Sequence, residues 1–139
     1  MNTFKTIPRR IITDEKNGRS IIAADATAEN VSEHFPGLIV SDIWATDAVP
    51  ADLRSEFRVE NTAMPATPSG GTYFRYVSIP PNDDLGIVSG LGAPHLLMHK
   101  TQTLDYIIIA SGEVYLVLDE GETKLRAGDI VIQRGTNHA

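Results

Sequence analysis

The stretch from Thr103 to Gln133 constrains the fold most, because short apolar runs are cut at close intervals by glycine. Leu104-Asp105-Tyr106-Ile107-Ile108-Ile109-Ala110 is nearly continuous in apolar character. That reads as a strand buried on both faces. Ser111-Gly112 turns the chain, and 113–118 alternates weakly as the next strand. Asp119-Glu120-Gly121-Glu122 reads as a hairpin turn, with the glycine able to supply positive φ. Gly128-Asp129 then turns into Ile130-Val131-Ile132. In order, these segments predict an antiparallel meander of the sort that builds sandwiches and jelly rolls.

The remainder has the same texture. Further strands are expected at 9–13, 20–23, 37–44, 72–79 and 95–99, beside those at 103–110, 113–118, 122–125 and 130–133. One short helix is expected at 50–57, where Pro50 and Asp52 suit a first turn. Loops are expected at 61–71 and 80–94, both rich in proline and glycine. The fold class is therefore all-β with little helix.

Composition narrows function. The chain has 139 residues, enough for one domain with a core, and 42% apolar content. A net charge of −6 argues against nucleic-acid partners and anionic membrane surfaces, which need clustered cations. With no cysteine, disulfides, zinc–thiolate sites, iron–sulfur clusters and thiol nucleophiles are excluded. No apolar run reaches the length of a membrane span and no secretory leader is visible, so a cytoplasmic location is expected.

The candidate chemistry lies in His99, Asp105 and His138. Side chains alternate along a strand, so Asp105 shares a face with Thr103, Ile107 and Ile109. A carboxylate inside an apolar run has to bind a metal, pair with a cation, accept backbone N–H bonds or cap a strand end. Without a metal, a histidine and a carboxylate facing one pocket suit general acid–base work. Arg75 alternates with aromatic residues in Thr72-Tyr73-Phe74-Arg75-Tyr76. It is a candidate for pairing with a substrate carboxylate or with Asp105, or for a surface role. Trp44 and Tyr106 are candidate pocket-lining residues, with core packing the simpler expectation for Tyr106.

His99-(x)5-Asp105-(x)6-Gly112 followed by Gly128-Asp129-(x)5-Gly135-(x)2-His138 resembles the two sequence motifs of the cupin superfamily. The resemblance covers about residues 94–139 and implies a jelly-roll barrel with a small-molecule site inside. It implies a single cupin domain over 1–139, with N-terminal strands and loops at 1–70 and the barrel core at 71–139. Metal-binding cupins offer His-x-His, a glutamate and a later histidine. Here Thr101 stands at the second histidine, which makes it a substrate-contact candidate, and Asp105 stands at the glutamate. The surviving set, His99, Asp105 and His138, suits Fe, Mn, Ni or Zn by ligand type.

The resemblance also implies pairing into a homodimer. It implies further strands after the second motif's histidine, so that a chain lacking them would hold His138 less rigidly. The expected activity is that of a small-molecule enzyme on an organic acid, polyketide or sugar derivative, of oxygenase, isomerase, decarboxylase or dehydratase type. The alternatives are a non-catalytic small-molecule-binding cupin and a barrel with a vestigial metal site.

Overall fold

A computed structural model describes residues 5–55, 70–84 and 97–139. The expected strand positions 95 and 96, and most of the loops at 61–71 and 80–94, lie outside the described residues. Two compact units divide the chain, Met1–Leu85 and Gly86–Ala139. Among the described residues the fold is all-β: nine strands, every pairing antiparallel, and no helix.

In the first unit β1 (Arg9–Lys16) and β2 (Arg19–Thr27) form a hairpin. The two residues between them, Asn17 and Gly18, both have positive φ, at 54° and 71°. That is the turn geometry whose twist matches the twist of paired strands. The Arg9 guanidinium donates to both Asp25 carboxylate oxygens at 2.5 Å across the ladder. A second sheet has the order β3 (Val31–Phe35), β4 (Leu38–Thr46), β5 (Thr72–Ser78). β3 was not expected. Its sequence, Val-Ser-Glu-His-Phe, has polar residues through its middle and pairs only because β4 offers an edge.

The second unit departs from the expected meander. β6 (Leu104–Ile108) pairs with β9 (Ile130–Arg134), and β7 (Glu113–Val117) pairs with β8 (Glu122–Arg126). Backbone bonds from Ile109 to Asp129, Gly128 to Ile109 and Ala127 to Gly112 join the two ladders. They form one long hairpin bent at its middle, not four strands in sequence order. Gly112 and Gly128 sit on the two arms of the bend with φ of 71° and 94°. Glycine adopts that conformation without a Cβ penalty, so Ser111-Gly112 jogs the chain where it was expected to reverse it.

Two further expectations are corrected. β6 is not buried on both faces: Leu104, Tyr106 and Ile108 are 55%, 75% and 69% exposed, while Asp105 and Ile107 are half-buried. Residues 50–55 of the helix expected at 50–57 are not helical, and positions 56 and 57 lie outside the described residues; Asp52 Oδ1 accepts from the Arg54 N–H at 2.9 Å, closing a local turn. The positions most buried among the described residues are largely polar: Ser41, Asp42, Gln133 and His138 beside Ala28 and Val40.

The β4–β5 ladder is closed at one end by Thr46 and Thr72, whose hydroxyls lie 2.7 Å apart. A Cβ on Gly71 would fall 2.1 Å from the Thr46 carbonyl oxygen. Gly71→Ala is therefore expected to destabilise the chain by roughly 1–3 kcal/mol through overpacking. Urea unfolding measures this, and an unchanged midpoint at constant slope would contradict the β4–β5 register.

Candidate active site

His99 and His138 meet through their backbones. Each donates its N–H to the other's carbonyl at 2.9 Å, a hydrogen-bonded antiparallel pair. Such a pair puts both side chains on one face. The ring centroids lie 4.4 Å apart with the planes tilted by 52°. His138 is buried and His99 is exposed. On the other side of His138, Ala139 and Val117 exchange backbone bonds at 2.8 and 2.9 Å. Asn137 Nδ2 donates to Asp119 Oδ1 at 2.8 Å.

Both imidazoles are held in the same way. His99 Nδ1 lies 2.7 Å from the Leu97 carbonyl oxygen, and His138 Nδ1 lies 2.9 Å from that of Thr136. A carbonyl oxygen only accepts, so each Nδ1 carries a proton, and in the neutral ring Nε2 is the nitrogen with the free lone pair. The turn beneath His138 is fixed by Gln133, which is 3% exposed. Its amide nitrogen donates to the Thr136 carbonyl at 2.9 Å and lies 2.5 Å from the Thr136 hydroxyl.

Asp105 is the second residue of β6, opposite Gln133 in register. The structure does not group it with the two histidines. Among the described residues no three His, Cys, Asp or Glu side chains come together as a metal-binding set. Thr101 is half-buried, and its hydroxyl bonds to that of Thr103 at 2.8 Å. Tyr106 is corrected from a core residue: it is 75% exposed, on the face of β6 opposite Asp105. Strand alternation requires this once Asp105 faces inward.

Arg75 and Trp44 belong to the first unit. Arg75 Nε donates to Asp42 Oδ1 at 2.7 Å, and the guanidinium carbon lies 5.0 Å from the centre of the Tyr73 ring. The partner of Arg75 is thus Asp42, which sits opposite it in register and is 7% exposed. Trp44 is half-buried opposite Phe74. Asp42 and Ser41 are polar positions that sequence reasoning passed over. Both interrupt the apolar run at 38–44, the same signal that singled out Asp105. The Ser41 hydroxyl is fully buried with no hydrogen-bond partner among the described residues.

The chain was compared with known proteins. No family model matches it. It is 31% identical to Phomopsin biosynthesis cluster protein C' of Diaporthe leptostromiformis, over 94% of this chain and 68% of that protein. Phomopsin biosynthesis cluster protein D of the same fungus matches to the same extent. The cupin-domain-containing oxidoreductase srdD of Neurospora crassa is 26% identical over 97% of this chain and 66% of its own length. The chain belongs to this cupin-related family. It spans about two thirds of the length of these curated relatives. The antiparallel strands and the bent hairpin of the second unit agree with the jelly-roll architecture that cupins share.

Burial raises the Tyr73 phenol above its ordinary range, with the nearby Asp42 carboxylate adding to the rise and Arg75 opposing it. The folded chain therefore holds this proton more tightly than the unfolded chain. The associated stability is complete below the ordinary phenol range and is lost as pH rises through the folded value. Asp42→Asn removes one raising influence, so Tyr73 is expected to titrate lower in the variant; a Tyr73→Phe spectrum identifies the signal in an absorbance titration. The same substitution leaves Arg75 without its anion and is expected to cost about 2 kcal/mol, less than for a fully buried pair because Arg75 reaches solvent. Denaturant unfolding checks the second figure.

Proposed function

We propose that this chain forms the site-bearing part of a small-molecule oxidoreductase in which His99 and His138 are the working residues. The observation that carries the reading is the matched pair of imidazoles, each with Nδ1–H committed to a backbone carbonyl and Nε2 left open. Metal-ligating histidines are commonly oriented by such a bond from the other ring nitrogen. The relatives named as cupin-domain-containing oxidoreductases support the reaction class, and the biosynthetic-cluster names support a small organic substrate. An organic acid, a polyketide or a sugar derivative fits that description.

The donor set fits two positions of a divalent transition metal such as Fe, Mn, Ni or Zn, held by the Nε2 atoms of His99 and His138. Such an ion would supply Lewis acidity or a redox centre beside the bound substrate. The chain's own contribution is to fix both tautomers, to hold His138 away from bulk water, and to lock the turn through Gln133 and Thr136. Asp105 remains the nearest sequence candidate for a third, anionic ligand.

A second reading rests on the same tautomers. With no metal, an unprotonated Nε2 on the buried His138 is a ready general base, and His99 beside it accepts or returns a proton.

Calorimetric titration with Zn(II) or Ni(II) separates the two. His99→Gln and His138→Gln are each expected to weaken metal binding by at least about tenfold, and the double variant to abolish it. Asp105→Asn reports on the third position: weaker binding makes the carboxylate a ligand, and unchanged binding removes it from the set. Equal affinity in the wild type and the double histidine variant would overturn the metal reading.

A further inference from the structure

Outside the histidine pair, the second unit carries a shallow, open cleft of about 390 Å³ between the loop at 100–103 and the turn after β9. Its walls include Lys100, Thr101, Thr103, Leu104, Arg134 and Gly135; neither His99 nor His138 lines it. The backbones on either side are close. A Cβ on Gly135 would lie 3.1 Å from the Thr101 carbonyl oxygen and 3.5 Å from that of Thr103.

The charge of the cleft runs against that of the chain. The whole sequence carries −6, yet the cleft wall contains two cations and no carboxylate. The ion pairs among the described residues use Arg9, Arg75, Lys124 and Arg126 as cations, and neither Lys100 nor Arg134 takes part in one. Two unpaired cations facing one concave space make a local positive field that attracts an anion. Arg134 adds a planar fork of donors suited to a carboxylate.

The cleft opens onto an apolar surface. Leu104 stands opposite Arg134 in the β6–β9 ladder, followed by Tyr106 opposite Ile132 and Ile108 opposite Ile130. These five apolar side chains are 52–75% exposed, so one face of the ladder is a hydrophobic strip with the cations at one end. From Leu104 to Ile108 the strip runs about 13 Å at the usual rise of a strand. A contiguous exposed apolar strip is a surface available for contact with a protein, a membrane or a ligand. The two unpaired cations at its end specify an occupant with an anionic head and an apolar body.

We propose that this cleft and the adjoining face of β6 and β9 bind a small amphiphilic carboxylic acid. Its carboxylate rests on Lys100 and Arg134, and its apolar body lies along Leu104, Tyr106 and Ile132. The site does not depend on the histidines having a catalytic role, since neither of them lines it.

Octanoate, octanol and octylammonium serve as probes on the full chain, with binding followed by calorimetry and amide chemical shifts. Octanoate is expected to bind at least tenfold more tightly than octanol, to weaken as salt rises, and to shift the amides of Thr101, Leu104 and Gly135. Lys100→Gln with Arg134→Gln is expected to remove the preference for octanoate. Lys100→Glu with Arg134→Glu is expected to transfer it to octylammonium, a gain that an unfolded variant would not show. Three results would overturn the proposal: equal affinity for octanoate and octanol, an unchanged preference in the double glutamine variant, or self-association through the β6–β9 face that excludes octanoate.

Discussion

The reciprocal backbone bonds between His99 and His138 set the geometry on which the second unit depends. Residues 137–139 form a strip bonded to His99 on one side and to Val117 on the other. That strip ties the loop carrying His99 to β7 by backbone bonds. With it, two imidazoles distant in sequence come within 4.4 Å, and each is turned by its own local carbonyl. The pairing is made by backbone groups, which every non-proline residue carries. Substituting either side chain therefore leaves the scaffold in place, and a histidine variant can be read as a probe of chemistry.

Burial follows the same economy of polar groups. A buried polar side chain is tolerable when it is hydrogen-bonded. Asp42 has Arg75, Gln133 has the Thr136 turn, and His138 has the Thr136 carbonyl. Apolar side chains, by contrast, stand out on β6 and β9.

Much of the fold was legible in the sequence because strand character is local. The runs that become β1, β2, β4, β5, β6, β7 and β9 each showed apolar stretches bounded by turn residues, and β8 was bracketed by two turns. β3 was hidden because its polar middle gives no periodic signal and its pairing is supplied by β4. The partner of β6 was hidden for a different reason. Whether Ser111-Gly112 reverses the chain or merely bends it depends on the Gly112 conformation and on the bonds from Ala127 and Gly128. In the candidate site, His99 and His138 were visible as residue types with a recognisable motif spacing. Asp42 met the same test as Asp105 and was passed over, and its ion pair with Arg75 needed the β4–β5 register.

By itself the sequence determined the all-β class, the positions of most strands, and the two histidines, because side-chain alternation and turn chemistry act over a few residues. The tertiary structure alone decided which strands pair, that the histidines share a face while Asp105 is not grouped with them, and that Lys100 and Arg134 meet across one cleft. Those outcomes rest on hydrogen bonds between residues far apart in the chain, and spacing alone does not specify such partners.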